Sequence, residues 1–191
     1  MNIITILGSP KKKGRTAQAL DAFETAAANK GHKTERIHLE DYVIKGCAGC
    51  MVCRRTSDNP GCVREDDALF LFGKMIAANC LIYASPLYAY DFTSQMKALF
   101  DRQFCLVKGL AGGKPFSLLA GKLAALLVTC GWPKENNSEE LTAIFNRTMR
   151  IGYQCDIFGN YIVDKSMTAD FEDRAELVGK AMFTDMIAAW N

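Results

Sequence analysis

Strand-like and helix-like segments alternate along this 191-residue chain, and that alternation restricts the folds it can adopt. Apolar or β-branched runs occupy residues 2–7, 33–38, 80–84, 123–129 and 161–163, with helical spacing of apolar residues between them. Parallel strands joined through helices need right-handed crossovers, so five such strands predict an α/β fold with a parallel sheet covered on both faces. Two doubly wound strand orders remain open at this point.

Helix starts are predicted from residues that can cap a first turn, and from Asn137-x-x-Glu140, which fits a capping box. The predicted starts are Thr16, Asp66–Asp67, Thr93 or Ser94, the box beginning at Asn137, and a position near Ala169. Residues Gly109–Pro115 are predicted to form a loop. Four methionines at helical spacing are expected to be packing residues: Met75, Met96, Met149 and Met182.

The composition is that of an ordinary globular protein, with 49% hydrophobic and 23% charged residues and a net charge of +2. This near balance gives no reason to expect a nucleic-acid or membrane partner. No apolar run approaches the roughly 20 residues that span a bilayer. With no leader-like segment before the first strand, we expect a cytoplasmic protein that forms one domain over residues 1–191.

The turn between the first strand and the first helix has the chemistry of an anion site. It reads Gly8-Ser9-Pro10-Lys11-Lys12-Lys13-Gly14-Arg15-Thr16. Backbone N–H groups, the positive end of the helix dipole and basic side chains would converge there, which favours a phosphate. The turn matches neither the Walker pattern nor G-x-G-x-x-G, so a single monophosphate suits it best. The alternative is an ordinary connection with solvated lysines.

Two further loops follow strands of the predicted sheet, at residues 85–91 and 130–133. Because ligands of such sheets bind beyond the carboxyl ends of the strands, we expect these loops and the first turn to form one cleft. Tyr88, Tyr90 and Trp132 can supply flat walls there, although any one of them can equally be a packing aromatic. His32 and His38 are expected at the surface, away from the cleft.

Several motifs resemble one known family. The first turn is similar to the phosphate loop G-S-P-R-x-x-G-N-T, and S-P-L-Y-A-Y with S-Q-M-K-A-L-F-D-R resembles its second block. The segment ending C-V-R-E-D-D is similar to that of the iron–sulfur flavoprotein branch. The chain thus resembles flavodoxin-like NAD(P)H-dependent FMN reductases. The resemblance implies a three-layer flavodoxin-like fold with strand order 2-1-3-4-5, and FMN as cofactor.

Carried over residue by residue, the resemblance implies three groups of FMN contacts. Those to the phosphate are Ser9, Lys11, Arg15 and Thr16; those along the isoalloxazine ring are Pro86, Leu87, Tyr88 and Ala89; those flanking the ring are Thr129, Cys130 and Gly131. No catalytic residue is assigned. Tyr88, Tyr90 and Asp91 are the polar candidates for a general acid, and none of them is chosen.

Four of the eight cysteines crowd into the loop at residues 46–65, in the pattern Cys47-x2-Cys50-x2-Cys53-x8-Cys62. Four thiolates in a compact loop can hold a [4Fe–4S] cluster, and the resembling branch shares the first two gaps but usually has a shorter last one. A closed zinc site and metal-free thiols are the alternatives. The other four cysteines are predicted to be small buried hydrophobes: Cys80, Cys105, Cys130 and Cys155.

The expected function is an FMN-dependent oxidoreductase that takes a hydride from NAD(P)H. The electrons would pass to a quinone, a flavin, a small electrophile or a protein carrier. One alternative is a non-enzymatic electron-transfer flavoprotein fed by ferredoxin, and another is a metal or thiol sensor without flavin. The resemblance also implies a homodimer or homotetramer, for which Trp190 and the Gly109–Leu119 segment are candidate contacts.

Overall fold

A five-stranded parallel sheet forms the centre of the molecule, as the alternating pattern predicts. The computed structural model describes residues 1–109 and 113–191. The strands of this sheet are β1 (Asn2–Leu7), β2 (Lys33–His38), β3 (Cys80–Pro86), β6 (Leu123–Thr129) and β7 (Asp156–Val163). They run in the order β2-β1-β3-β6-β7. Counted within the sheet, this is the predicted 2-1-3-4-5, so the flavodoxin-like order is confirmed.

A short antiparallel hairpin lies outside the main sheet. Its strands are β4 (Val107–Lys108) and β5 (Phe116–Ser117), and Val107 pairs with Ser117. The predicted loop at Gly109–Pro115 connects them. Leu110, Ala111 and Gly112 of that loop lie outside the described residues.

Helices cover both faces of the sheet and complete the three layers. They are α1 (Arg15–Asn29), α2 (Ala68–Ala77), α3 (Ser94–Arg102), α4 (Glu139–Arg147) and α5 (Phe171–Trp190). Residues of α1 and α5 share one apolar core, and residues of α2, α3 and α4 share the other. All four methionines predicted to pack inside are buried. Among the helices of the described ranges, none has the length and apolar character needed to cross a bilayer.

The helix caps differ in part from the sequence prediction. Thr93 caps α3 as expected, with its Oγ1 accepting a hydrogen bond from the Met96 N–H at 3.3 Å. The predicted capping box formed by Asn137 and Glu140 is wrong. Glu139 instead turns back and accepts bonds from the backbone N–H groups of Asn136, Asn137 and Ser138 at 2.8 to 3.0 Å. A carboxylate that meets three donors at the positive end of a helix is more stable than one that meets a single donor.

The predicted cap of α2 is present, with its two acids in different roles. Asp67 is the N-cap residue, but its carboxylate accepts a bond from the Val43 N–H at 2.7 Å instead of capping the helix. Asp66 accepts from the Ala68 N–H at 3.1 Å. Asp66 also accepts from the Lys45 N–H at 3.0 Å, so both acids join α2 to the segment that enters the cysteine-rich loop.

The last strand is longer than predicted, because β7 begins at Asp156 and not at Tyr161. It is an edge strand, and most of its residues are only partly buried. Such a strand carries no continuous apolar run, so the residues before Tyr161, which include Gly159 and Asn160, lack a strand pattern in the sequence.

Candidate functional site

The loops after β1, β3 and β6 meet at the carboxyl edge of the sheet, as expected. The Gly8 N–H donates to the Ala84 carbonyl at 2.8 Å, and the Leu87 N–H donates to the Thr129 carbonyl at 2.9 Å. The Thr93 hydroxyl donates to the Gly8 carbonyl at 2.6 Å and ties the first turn to α3. These bonds hold the loops around a cleft of about 630 Å³, a volume typical of small-molecule sites.

Ten of the eleven residues predicted to contact FMN line this cleft. They are Ser9, Lys11, Arg15, Thr16, Pro86, Leu87, Tyr88, Thr129, Cys130 and Gly131. Ala89 lines an adjoining cavity of about 490 Å³, which Leu87, Cys130 and Gly131 share with the cleft. The predicted residues therefore form one continuous surface.

Sequence reasoning missed further cleft residues. Lys13 and Gly14 belong to the predicted turn, so the motif alone could have identified them as cleft residues. Ser166 and Met167 come from the loop after β7, whose Ser166 N–H donates to the Cys130 carbonyl at 2.9 Å. These two residues could have been predicted from the sheet topology, because the carboxyl end of β7 lies at the same edge of the sheet as the cleft.

The amino end of α1 has the features of a phosphate site. Gly14 occupies the N-cap and has no side chain with which to cap the helix, so the first-turn N–H groups remain for a ligand. A Cβ built on Gly14 would lie 3.1 Å from the Lys11 Cβ and 3.6 Å from the Ser9 Oγ. The turn thus encloses a small space that a glycine leaves open, and the residues fit a phosphate group.

Three of the four basic residues of the turn line the cleft: Lys11, Lys13 and Arg15. The Arg15 guanidinium is half-exposed, lies 4.8 Å over the Phe171 ring and is 3.6 Å from the Glu172 carboxylate. Lys12 instead forms an ion pair with Asp41 at 2.5 Å. Arg15 therefore lines the cleft, whereas Lys12, in the same turn, does not.

His38 is buried beside the phosphate turn, so its expected place on the surface is wrong. Its Nε2 lies 2.9 Å from the Ser9 carbonyl oxygen. The cause is strand register, because His38 pairs with Leu7 at the carboxyl end of β1. His32 is partly buried, with its ring against that of Phe183.

A tight turn presents the aromatic residues at the other end of the cleft. Tyr88 and Asp91 exchange two backbone bonds of 3.0 Å around Ala89 and Tyr90, whose φ angles are 49° and 64°. Left-handed backbone at a non-glycine residue costs about 1–2 kcal/mol, and such strain concentrates at functional sites. Tyr88 is 50% exposed and Trp132 is 79% exposed, so this end of the cleft is open.

Two buried side chains connect the phosphate end to β6. The hydroxyl oxygens of Thr16 and Thr129 lie 2.6 Å apart. Next to them, burial raises the pKa of the Cys130 thiol to about 11, and its Sγ donates to the Trp132 carbonyl at 3.3 Å. Cys130 is therefore a neutral thiol at pH 7 and lacks the character of a nucleophile.

The cysteine-rich loop forms a second site, separate from the cleft. Cys47 and Cys50 are exposed, Cys53 is buried and Cys62 is partly buried, and all four line one small pocket. Within residues 1–109 and 113–191, no three His, Cys, Asp or Glu side chains converge tightly enough to hold a metal ion.

The walls of this pocket carry hydrogen-bond donors that suit an anionic group. Arg102 Nη2 donates to the Cys62 Sγ at 3.3 Å. The Nε atoms of Arg64 and Arg102 are buried and have no hydrogen-bond partner in the described part of the chain. Four cysteines that line one pocket, with two arginine side chains beside them, have the ligand chemistry that an iron–sulfur cluster requires.

The remaining cysteines behave as predicted. Cys80, Cys105, Cys130 and Cys155 are all buried and free. Burial raises the pKa of Cys80, Cys105 and Cys155 to about 12. They are packing residues.

Comparisons with known proteins agree with this picture. The sequence profile of the NADPH-dependent FMN reductase family matches residues 1–152. An iron–sulfur flavoprotein of Archaeoglobus fulgidus is 31% identical over 150 residues, which cover 78% of this chain and 63% of that protein. The iron–sulfur flavoprotein of Methanosarcina thermophila is 32% identical over 142 residues, covering 74% of this chain and 69% of that protein. The chain thus spans about two thirds of the length of these relatives.

The fold also matches a solved structure. The FMN-dependent NADH-azoreductase of Bacillus anthracis str. Ames Ancestor, solved in complex with FMN, superposes with a TM-score of 0.69. The match covers 97% of this chain and 98% of that one, at 13% sequence identity. At this identity the likeness concerns the fold.

Proposed function

Because this chain belongs to the NADPH-dependent FMN reductase family, we propose that it is an FMN-dependent oxidoreductase that takes a hydride from NADH or NADPH. Its electrons pass on to a quinone, a free flavin, a small electrophile or a protein carrier. The observation that carries the proposal is the single cleft lined by ten residues predicted for FMN. The whole chain acts as one FMN-binding domain.

The protein's part in this activity is to bind and orient the cofactor. Ser9, Arg15 and the N–H groups at the start of α1 would hold the phosphate of FMN. Residues 86–89 and 129–131 line the rest of the cleft and its neighbouring cavity and would contact the ring. Bound FMN supplies the hydride and one-electron chemistry.

The open end of the cleft suits a second substrate. The cavity beside Tyr90 and Trp132 is continuous with the cleft and reaches solvent. A nicotinamide or a flat electron acceptor can stack there on exposed aromatic rings.

An anaerobic absorbance experiment tests the proposal. Purified protein loaded with FMN is mixed with NADH or NADPH, and the flavin absorbance is followed by stopped flow. We expect the flavin absorbance to be lost faster than manual mixing could resolve, and to return when a quinone is added. FMN that stays oxidised with both nucleotides would contradict the proposal.

A second candidate is an electron carrier fed by a ferredoxin-like protein. The names of the two iron–sulfur flavoproteins and the four-cysteine pocket favour it. In this case reduced ferredoxin reduces the protein rapidly while both nicotinamide nucleotides fail. The same stopped-flow experiment separates the two candidates.

For the cysteine-rich loop, we propose a [4Fe–4S] cluster bound by Cys47, Cys50, Cys53 and Cys62. When bound, such a cluster supplies one-electron transfer. Protein purified or reconstituted without oxygen is expected to hold four irons and four labile sulfides per chain. A protein with full FMN and no iron would rule the cluster out and leave the flavin activity standing.

The assembly and the compartment are also proposals. The open ring end, with Tyr88 and Trp132 exposed, favours a homodimer or homotetramer in which a second chain completes the cleft. Light scattering of the FMN-loaded protein tests this, and a monomer at micromolar concentration would contradict it. Eight free cysteines favour a reducing compartment such as the cytoplasm.

A further inference from the structure

Two long basic side chains are buried directly beneath the cysteine-rich loop. Arg102, at the end of α3, and Lys108, in β4, are each only 1% exposed. Lysine and arginine are almost never this buried unless a partner offsets the charge. The partners of these two residues therefore indicate what kind of group can bind beside them.

Lys108 has neutral partners. Its Nζ donates to the Cys53 carbonyl, the Thr56 hydroxyl and the Pro60 carbonyl, each at 3.0 Å. Among the described residues, no carboxylate lies within ion-pair distance of this ammonium group. The hydrogen bonds orient Lys108, and the exposed Asp58 carboxylate offsets its charge only from beyond ion-pair distance.

Arg102 combines an ion pair with donors that remain for the pocket. Its Nη1 donates to the Asp66 carboxylate at 2.6 Å and to the Lys45 carbonyl at 2.7 Å. Its Nη2 donates to the other Asp66 oxygen at 3.2 Å and to the Cys62 sulfur at 3.3 Å, while Nε has no partner in the described chain. Arg102 and Arg64 line the pocket and Lys108 lies behind Cys53, so donors and positive charge gather on the inner side of the loop.

We propose that Lys108 and Arg102 form a cationic floor that offsets the charge of a cluster on the four cysteines and makes it easier to reduce. The inference rests on the [4Fe–4S] cluster proposed above. A bound cluster would gain one electron on reduction, supplied by dithionite in the test below, and no bond would form or break. The reduced form carries one more negative charge, so nearby cations and N–H···S bonds stabilise it more than the oxidised form.

The test is the midpoint potential of the reconstituted cluster, measured by anaerobic dithionite titration with absorbance and electron paramagnetic resonance. In Lys108→Met, which keeps much of the side-chain volume but loses the charge, we expect a more negative midpoint potential. Lys108→Arg keeps the charge and is expected to stay near the wild-type value. Arg55→Gln removes an exposed cation from the same loop and is the control, because solvent screens it.

The outcomes separate the two roles that Lys108 can have. If Lys108→Met lowers cluster content while the loaded fraction keeps the wild-type potential, Lys108 only positions the loop and the proposal is overturned. If Lys108→Met binds no cluster at all, the result for Lys108→Arg decides between the roles. A Lys108→Arg cluster with the wild-type midpoint potential supports a role for the charge, and failure of both variants to bind a cluster contradicts it. Wild-type protein that binds no iron would overturn the cluster itself. A wild type that binds the cluster, with variants whose midpoint potential is unchanged, would overturn only the proposed role of Lys108 and Arg102.

Discussion

At the scale of single residues, the first turn shows that the position of a charge matters more than the number of charges. Lys12 and Arg15 lie three residues apart, but only Arg15 lines the cleft, while Lys12 pairs with Asp41. Ser9 adds a buried hydroxyl next to the helix start. The phosphate end therefore depends on a few placed donors.

Removing two of these donors tests the phosphate assignment. A hydrogen bond to a charged group contributes about 1.5–3 kcal/mol, so Ser9→Ala with Arg15→Ala is expected to weaken FMN binding by about 100-fold or more. Quenching of FMN fluorescence measures the dissociation constant. Lys12→Met is the control and is expected to change it by no more than about threefold. Equal affinity in the double variant would show that the turn does not bind the phosphate.

The cysteines divide by burial, and this predicts their reactivity. A thiol with a pKa near 11, such as that of Cys130, is ionised to only about one part in ten thousand at pH 7. With iodoacetamide and the metal-free native protein, we expect rapid modification of Cys47 and Cys50. Peptide mass spectrometry identifies the modified residues. Modification of Cys130 at the rate of Cys47 would contradict the burial of its thiol.

At the scale of elements, the layer formed by α1 and α5 depends on one close approach. A Cβ built on Gly179 of α5 would lie 2.5 Å from the Ala22 Cβ and 2.7 Å from the Phe23 nitrogen. Backbone atoms cannot move away as a flexible side chain can. Glycine therefore sets the distance between these two helices, and α1 carries the phosphate turn at its start.

Gly179→Ala is expected to lower the free energy of unfolding by about 1–3 kcal/mol through overpacking. The matched control is Gly73→Ala in α2, where no atom lies within 4 Å of the added Cβ. Because alanine favours helix over glycine, this control is expected to gain about 0.5–1 kcal/mol. Urea unfolding measures both values. A stabilised Gly179→Ala would show that the helices lie further apart than described.

At the scale of the whole molecule, the sheet gathers sequence-distant loops, and this explains what the sequence could and could not predict. Patterns along single segments predicted the strands and the meeting of their loops, and the family resemblance supplied the strand order and the cleft residues. Features that depend on neighbours in space were missed. His38 reaches the phosphate turn only through the pairing of β2 with β1, and Lys108 meets the cysteine loop only through the packing of the hairpin.

The Asp66–Arg102 pair links the cysteine loop to global stability and to pH. Burial alone would raise the pKa of Asp66, but bonds from Arg102 and from the Lys45 and Ala68 N–H groups bring it below its ordinary value of 3.8. A lowered folded pKa means that the stabilisation is complete above that ordinary value and is lost as the pH falls below it.

Asp66→Asn is therefore expected to cost about 3–5 kcal/mol of unfolding free energy at pH 7, since it leaves a buried charge without its partner. The gap between variant and wild type is expected to shrink as the pH falls towards 3. Urea unfolding at both pH values measures the gap, with the exposed Asp58→Asn as control. A gap that is the same at both pH values would contradict the pH linkage.

The most direct test of the central claim compares FMN with riboflavin, which has the same ring but lacks the phosphate. If one cleft binds both ends of FMN, the protein is expected to bind FMN at least about 100-fold more tightly than riboflavin by calorimetric titration. The preference is expected to fall sharply in Arg15→Ala. Riboflavin bound as tightly as FMN, or no binding of either, would contradict the account.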